Sequence, residues 1–166
     1  MIVVSDTSAL SGLAIVGQLA LLRTLYGQIV IPSEVASELR RGAQDDPRIA
    51  PVLSLSWLEI KPCQDSFLVD ELQTVYKLDK GESEAISLAL ELGADALLID
   101  ERLGRREASR LGLSITGTLG VLLAAKKRNL VSTIRPIIDE LVSETGFRIS
   151  AQLYEEVIAT AGEEVE

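Results

Sequence analysis

Two acids stand where the strands of an α/β sheet would end. Asp6 follows the apolar run at residues 2–4, and Asp100 follows the apolar run at residues 96–99. Short aliphatic runs of this kind are typical of strands buried on both faces. Ligands of open α/β sheets bind at the carboxyl ends of the strands. We therefore expect Asp6 and Asp100 to meet at one edge of a sheet.

Two further acids lie on predicted helices, near the faces that should pack on the sheet. Glu38 is three residues after Val35, and Glu84 stands on a helix with little polar surface. An acid at the edge of a buried face needs a partner, because burying an unpaired charge is costly. A structural explanation stays open for Asp6 and Asp100, since Asp is a favoured helix N-cap and a helix follows each of them.

Other acids are explained by helix structure alone. Glu34 lies in the first turn of a helix that begins after Pro32, where a negative charge suits the helix dipole. Asp79 and Glu82 have the spacing of a capping box, which favours a structural role for Glu82.

Four converging carboxylates would repel one another and would call for a divalent cation. Oxygen ligands without His or Cys favour Mg²⁺ or Mn²⁺ over zinc. Such an ion keeps open positions for phosphate oxygens and activates water, which is what metal-assisted phosphodiester hydrolysis requires. The four acids therefore predict this chemistry, provided that the fold brings them together.

The composition removes most other catalytic classes. The chain contains no histidine, which excludes Ser-His-Asp and Cys-His catalysis and imidazole-based zinc sites. The single cysteine, Cys63, has no partner for an internal disulfide, and a reducing compartment is the simplest setting. A net charge of −9 argues against a protein that grips nucleic acid mainly through a basic surface.

Strand and helix patterns alternate along the 166 residues and predict one α/β domain, residues 1–166, with a parallel sheet covered on both faces. The predicted strands are residues 2–4, 28–31, 57–60, 94–99 and 113–115. The predicted helices are residues 8–16, 18–26, 33–41 (ended by Gly42), 66–76, 82–92, 101–111, 118–128, 132–142 and 151–160. Residues 44–51 are expected to form a loop with a brief helical turn, and the acidic end at 162–166 is expected to fray.

Four segments resemble PIN-domain proteins, in particular the branch related to VapC toxins. They are IVVSDTSAL, VIPSEVASEL, GESEAISLALELGADALLIDERLGR and TGTLGVL, and the resemblance covers about residues 2–130. It implies a three-layer α/β/α sandwich with a central parallel sheet of four to five strands. It also implies a nuclease that cleaves RNA at an acidic metal site.

The resemblance assigns roles to individual residues. The catalytic acids fall on Asp6, Glu38, Glu84 and Asp100, with Mg²⁺ or Mn²⁺ held by Asp6, Glu84 and Asp100. Many relatives carry Asp at the position of Glu84, so the side chain here is longer. Ser8 and Thr7 would orient Asp6 by hydrogen bonding, and Glu101 would be a further acid. Thr118 would contact the metal-bound water or the substrate, and Arg102 with the arginines at 105, 106 and 110 would guide the RNA backbone. A structural alternative stays open for Thr118, as a helix N-cap, and for the arginines at 102, 105, 106 and 110, as solvated salt bridges.

The leading hypothesis is therefore a Mg²⁺- or Mn²⁺-dependent endoribonuclease, the toxin of a type II toxin–antitoxin pair. A second hypothesis is a catalytically inactive PIN-fold interaction protein. A third, a haloacid-dehalogenase-like phosphatase, expects an acid two residues after the first, where this chain has Ser8.

The sequence also predicts a setting and partners. No basic segment precedes the first strand, and the apolar stretch at residues 9–22 is interrupted and short, so we expect a cytoplasmic protein that does not enter the membrane. The glycine-punctuated helices at 9–16 and 19–26 suggest a surface for a homodimer. The family resemblance adds RNA as substrate and a small protein antitoxin as partner.

Overall fold

A parallel five-stranded sheet forms the centre of the protein. The structure, a computed structural model, describes residues 1–164. The strands are β1 (Val3–Ser5), β2 (Ile29–Ile31), β3 (Leu58–Ile60), β4 (Ala96–Leu98) and β5 (Ile115–Thr116). They lie in the order β3-β2-β1-β4-β5, and each neighbouring pair is parallel. All five predicted strands are present, with ends shifted by one or two residues.

Helices cover both faces of the sheet. In residues 1–164 they are α1 (Thr7–Ile15), α2 (Ala20–Tyr26), α3 (Ser33–Asp45), α4 (Ser66–Thr74), α5 (Lys80–Leu92), α6 (Arg102–Arg110), α7 (Thr118–Lys127), α8 (Arg135–Glu144) and α9 (Ala151–Thr160), with a 3-10 helix at Pro47–Ser54. None of these helices has the length and apolar character that a membrane crossing requires.

Alternate residues of the central strands pack into two separate cores. Val3 belongs to the core formed with α1, α2, α3 and α7–α9, whereas Val4 belongs to the core formed with α4, α5 and α6. Leu97 and Leu98 of β4 divide between the two cores in the same way. Successive strand side chains point to opposite faces, so a strand buried on both sides must be apolar throughout. The predicted three-layer α/β/α fold is confirmed.

The strand order reverses beside β1. The chain adds β2 and β3 on one side of β1 and then returns to place β4 on its other side. Ser5 pairs with Leu98, and the Asp6 N–H donates to the Leu98 carbonyl at 2.9 Å. The carboxyl ends of β1 and β4 therefore form a topological switch point, which is where ligands bind in open α/β sheets.

Two local expectations were wrong. Gly42 does not end α3, which continues to Asp45, because a glycine weakens a helix without breaking it and here gives Ile49 room to pack. The chain end is not frayed over 162–164, because the Glu163 carboxylate accepts hydrogen bonds from the Ile134 and Arg135 N–H groups at the start of α8. Residues 165 and 166, part of the same prediction, lie outside the described residues.

The apolar residues of α1 are used within the chain. Ala9, Leu10 and Leu13 are fully buried in the core beside the sheet. Gly17, with a φ of 71°, separates α1 from α2, as the sequence predicted. The α1 surface that suggested a dimer contact is therefore largely covered by the protein itself.

Candidate active site

Asp6 is a buried carboxylate at the switch point. It is the N-cap of α1, and its Oδ1 accepts a hydrogen bond from the Ala9 N–H at 3.3 Å. The Ser8 hydroxyl lies 3.3 and 3.4 Å from its two carboxylate oxygens. Only 3% of Asp6 is exposed. The N-cap geometry thus supplies donors to a carboxylate that is otherwise shielded from water.

Asp100 lies two residues beyond β4 and is held by the start of α7. Its Oδ1 accepts from the Thr118 N–H at 2.7 Å, and its Oδ2 accepts from the Thr118 hydroxyl at 2.6 Å. The N-cap position of α7 is Gly117, which has no side chain to offer, so Asp100 satisfies the helix end in its place. The structural alternative for Thr118, the N-cap of α7, is therefore wrong, because Thr118 is the first residue of the helix.

Glu38 projects from α3 toward the starts of α1 and α5. Its Oε2 accepts a hydrogen bond from the Thr7 hydroxyl at 2.9 Å, so Thr7 orients Glu38 rather than Asp6, the acid expected from the sequence. Its carboxylate packs on Gly81, where an added Cβ would overlap Glu38 Oε1. The glycine in the first turn of α5 thus leaves the space that this carboxylate occupies.

The structure does not bring Glu84 to the other acids. Its Oε1 accepts a hydrogen bond from the Glu34 N–H at 3.1 Å, at the start of α3. The Cys63 thiol contacts the Glu84 carbonyl at 3.1 Å. This carboxylate therefore has a structural partner, a helix N-terminus, outside the cavities that the other three acids line.

Glu82 stands in the place expected for Glu84. It lines both cavities of the site, and its Oε2 lies 3.4 Å from the position that a Cβ on Gly104 of α6 would occupy. Residues two apart on a helix are rotated by about 200°, so only one of Glu82 and Glu84 can face Asp6. The predicted capping box is partly present, since Asp79 Oδ1 accepts from the Glu82 N–H at 2.7 Å.

One signal in the sequence pointed to Glu82. A helix that leads into a parallel strand begins at the edge of the sheet where the strands end. An acid in the first turn of α5 is therefore placed at the switch point, whereas the second turn lies farther down the sheet face. Asp79, the exposed N-cap of α5, is brought to the same cavity and was also missed.

Burial and mutual repulsion raise the pKa values of these acids. The pKa of Asp6 rises from 3.8 to about 7, mainly through loss of solvation and next through the charge of Asp100. The pKa of Glu82 rises from 4.5 to about 8, again mainly through burial, with Asp79, Asp6 and Glu101 adding to it. Burial also raises the pKa of Glu38, which the Thr7 hydrogen bond opposes. The site holds more negative charge than its surroundings stabilise.

The acids line two adjoining cavities. The smaller, of about 210 Å³, is bounded by Asp6, Glu38, Asp79 and Glu82. The larger, of about 1110 Å³, is bounded at one end by Glu82, Asp100 and Glu101 and continues between α7 and α9. Ser8, Ser11 and Glu82 belong to both cavities. The carboxylates therefore surround a continuous, solvent-connected space.

The predicted supporting residues have different surroundings. Glu101 is exposed and precedes α6, and Arg102, the first residue of α6, is exposed as well. Arg105 borders the larger cavity. Arg106 and Arg110 instead pair with the buried Glu107, at 3.4 and 2.6 Å, as the salt-bridge alternative expected.

The carboxylate oxygens of the site suit a hard cation such as Mg²⁺, but they do not converge on one position. Among residues 1–164, no three acidic or thiol side chains are grouped closely enough to hold a metal ion. Mg²⁺ is commonly bound by one or two carboxylates together with waters and substrate oxygens. Asp6 and Asp100 are the two acids that would have to meet this lesser requirement, because the charge of Asp100 acts on Asp6 and raises its pKa.

The parallel sheet and the carboxylate-lined cavities at its switch point define an α/β domain with an acidic site. The model of the family DUF3368, described as PIN domain, matches residues 2–163, and the chain therefore belongs to the PIN-domain family. The match extends beyond residue 130, where the resemblance of the quoted segments ended, through the C-terminal helices. PIN domains are generally nucleases. No curated protein and no solved structure matches the chain.

Proposed function

We propose that this protein is an endoribonuclease that hydrolyses phosphodiester bonds of RNA with the help of Mg²⁺ or Mn²⁺. One observation carries the proposal: Asp6 is buried beside Asp100 at the switch point, with its pKa raised to about 7. A carboxylate in this environment is destabilised when charged, and strongly perturbed acids in a cleft are typical of functional sites. A cation between the two would relieve the repulsion.

Asp6 and Asp100 are the residues that would hold the ion, with Glu82 and Glu38 at its margin. When bound, the ion would supply an activated water and stabilise the leaving oxygen of the scissile phosphate. Residues of the protein orient the two acids. Ser8 and the Ala9 N–H orient Asp6, and Thr118 fixes both oxygens of Asp100. Each carboxylate oxygen has two lone pairs, so these contacts do not use the full acceptor capacity of either acid.

Glu82 and Glu38 contribute through charge and proton binding. The raised pKa of Glu82, about 8, keeps its carboxyl group mostly protonated at neutral pH in the absence of a cation. Thr7 holds the Glu38 carboxylate against the first turn of α5. In this proposal Glu82 replaces Glu84 among the catalytic acids, and Glu84 stabilises the junction of α3 and α5.

The direct test is cleavage of RNA by the purified protein with and without Mn²⁺ or Mg²⁺. We expect cleavage by the parent only with metal, and a loss of at least about a hundredfold in Asp6→Asn. Asp70→Asn is the matched control, because Asp70 is exposed on α4 and belongs to neither cavity. Equal, metal-independent cleavage by all three proteins would contradict the proposal.

We further propose that the protein is the toxin of a type II toxin–antitoxin pair that acts in the cytoplasm. The VapC-like segments quoted above support this role. Expression of the parent should arrest growth, and Asp6→Asn should not. A small antitoxin and a homodimer belong to the same proposal. Light scattering during size-exclusion chromatography would argue against the dimer by giving a monomer mass at micromolar concentration.

One observation favours a second candidate, an inactive interaction protein with the same fold. No ready-made set of three metal-binding side chains is present in residues 1–164. Calorimetry with Mn²⁺ separates the candidates. Heat of binding that disappears in Asp6→Asn would support the nuclease, whereas no binding at millimolar Mn²⁺ would favour the inactive protein.

A further inference from the structure

The larger cavity extends well beyond the acids. From Asp100 it continues between α7 and the segment that joins α8 to α9. Its volume of about 1110 Å³ is slightly above the usual range for small-molecule sites. This part of the wall is largely apolar and is formed by Leu119, Leu123, Leu141, Phe147, Leu153 and Val157. The cavity therefore has a charged end, where we propose that phosphodiester hydrolysis occurs, and an apolar end with no assigned role in that reaction.

Two arginines border this cavity, Arg105 at its charged end and Arg148 at its apolar end. The Arg105 guanidinium donates to the Ile99 carbonyl at 2.9 Å, and its Nη1 lies beside Asp100, since both adjoin the Cβ position of Gly117. Arg148 lies in the segment between α8 and α9 and is exposed. Within residues 1–164, neither arginine forms an ion pair. Asp100 is close enough to offset part of the charge of Arg105, whereas the exposed Arg148 suits an anionic ligand at the apolar end of the cavity.

Phe147 is the aromatic residue of the same wall. It precedes Arg148 directly and is half-buried, packed on the core beside α8 and α9. The Thr145 hydroxyl accepts a hydrogen bond from the Phe147 N–H at 3.0 Å, which fixes the backbone at this point. A fixed aromatic ring beside an arginine is the usual platform for an unpaired base and its phosphate.

We propose that this cavity is a nucleotide subsite, in which Phe147 stacks on an unpaired base while Arg105 and Arg148 bind the flanking phosphates. The inference rests on the proposed nuclease function and assigns these three residues to the binding of one unpaired nucleotide beside the acids. A duplex keeps its bases stacked and paired, so the ring cannot reach a base face unless the strand is open. The charged end then receives the phosphodiester bond next to the stacked nucleotide.

The two arginines favour a nucleic acid over an apolar segment of a protein. An apolar peptide would bury the leucines of the wall, but it would offer no anion to Arg148, which forms no ion pair within residues 1–164. A nucleotide suits both the apolar wall and the arginines, because its base is apolar on its faces and its phosphates are anionic.

The test measures binding of a short, labelled, single-stranded RNA by fluorescence anisotropy, in EDTA so that no cleavage occurs. Phe147→Leu retains an apolar side chain for the core and removes the stacking ring, and we expect its Kd to rise about fivefold or more. Phe147→Tyr should retain the affinity of the parent. Phe67→Leu, at the exposed phenylalanine of α4, is the matched control and should leave Kd unchanged.

The arginines are tested by the salt dependence of the same binding. Arg148→Ala should weaken binding and lower the slope of log Kd against log salt by about one. Arg40→Ala, an exposed arginine of α3 outside both cavities, should leave the slope unchanged. The RNA annealed to its complement should bind more weakly than the single strand. Thermal melting of each variant confirms that it is folded.

Failure of this inference is distinguishable from failure of the nuclease proposal. Equal Kd values for the parent, Phe147→Leu and Arg148→Ala would overturn the subsite, as would no measurable affinity of the parent for the strand, even if the parent cleaves RNA with Mn²⁺. A strand-binding protein that is sensitive to Phe147 but does not cleave RNA would retain the subsite and refute the nuclease. Tighter binding of the duplex than of the single strand would also overturn it.

Discussion

Thr118 donates a hydrogen bond to each carboxylate oxygen of Asp100, from its N–H at 2.7 Å and from its hydroxyl at 2.6 Å. One residue therefore sets both the position and the rotation of this carboxylate. Thr118 is only 1% exposed, so its hydroxyl is held against Asp100 rather than turned to solvent. Asp100 thus depends on the start of α7, although 18 residues separate the pair in the chain.

Removal of the Thr118 hydroxyl is the first prediction. Thr118→Val keeps the shape and the N–H donor but leaves Oδ2 without its partner. We expect metal affinity or cleavage to fall about ten- to a hundredfold, as is usual when a partner of a metal-binding carboxylate is lost. Thr118→Ser should retain most activity. Thr160→Val, in which an exposed hydroxyl on α9 is lost, controls for the substitution itself. Cleavage by Thr118→Val at the parent rate would refute the orienting role.

The ionisation of Asp6 is expected to make the free energy of unfolding depend on pH. Its pKa in the folded chain, about 7, is above its ordinary value, so its contribution to stability is present below about pH 4 and is lost as the pH rises through 7. Without metal, Asp6→Asn should therefore gain stability relative to the parent at pH 8, by on the order of 2 to 4 kcal/mol, and much less at pH 4. Asn retains the N-cap contact.

Urea unfolding of both proteins in EDTA at the two pH values measures this difference. Asp70→Asn should show no such dependence on pH. Mn²⁺ should raise the unfolding temperature of the parent at pH 8 and leave that of Asp6→Asn nearly unchanged, because a ligand that binds only the folded state stabilises it. A loss of stability in Asp6→Asn at pH 8 would show that the buried charge is satisfied in some other way.

Glu82 and Glu84 are predicted to separate function from stability. Glu82→Gln should lower cleavage and metal affinity, because Glu82 lines both cavities beside Asp6. Glu84→Gln should leave cleavage by the folded protein near the parent value and cost about 1 kcal/mol of stability, since a charged acceptor at the start of α3 becomes neutral. Metal titrations and urea unfolding of both variants measure the two effects. The opposite pattern would restore Glu84 to the site.

Gly81 is predicted to act through Glu38. In Gly81→Ala the new methyl group would occupy the space of the Glu38 carboxylate and displace it. We expect cleavage to fall about tenfold while stability changes by less than about 1 kcal/mol, because alanine suits a helix better than glycine. A double-mutant cycle provides the check. Gly81→Ala should have no further effect on cleavage once Glu38 is alanine, and an equal effect in both backgrounds would exclude the mechanism.

The alternation of strands and helices could be predicted because each of them has a recognisable local pattern of apolar and polar residues. Aliphatic runs such as 2–4 and 96–99 have no polar face, so they indicate interior strands, and a parallel sheet with helices on both faces follows from their alternation with helices. The ends of elements were less predictable. Gly42 lies inside α3 because Ile49 packs against it, and Glu163 is anchored because it meets the start of α8. Both contacts join residues whose proximity local patterns do not encode.

The sequence by itself determined that two acids would follow interior strands and that chemistry based on histidine is absent. Only the tertiary structure decided which acid of α5 faces them. Helical rotation points Glu82 and Glu84 to nearly opposite sides, and the side that meets Asp6 depends on how α5 packs against α3 and α6. It also decided that Thr118 orients Asp100 and that Phe147 and Arg148 border the cavity, because packing, rather than spacing along the chain, brings those segments together.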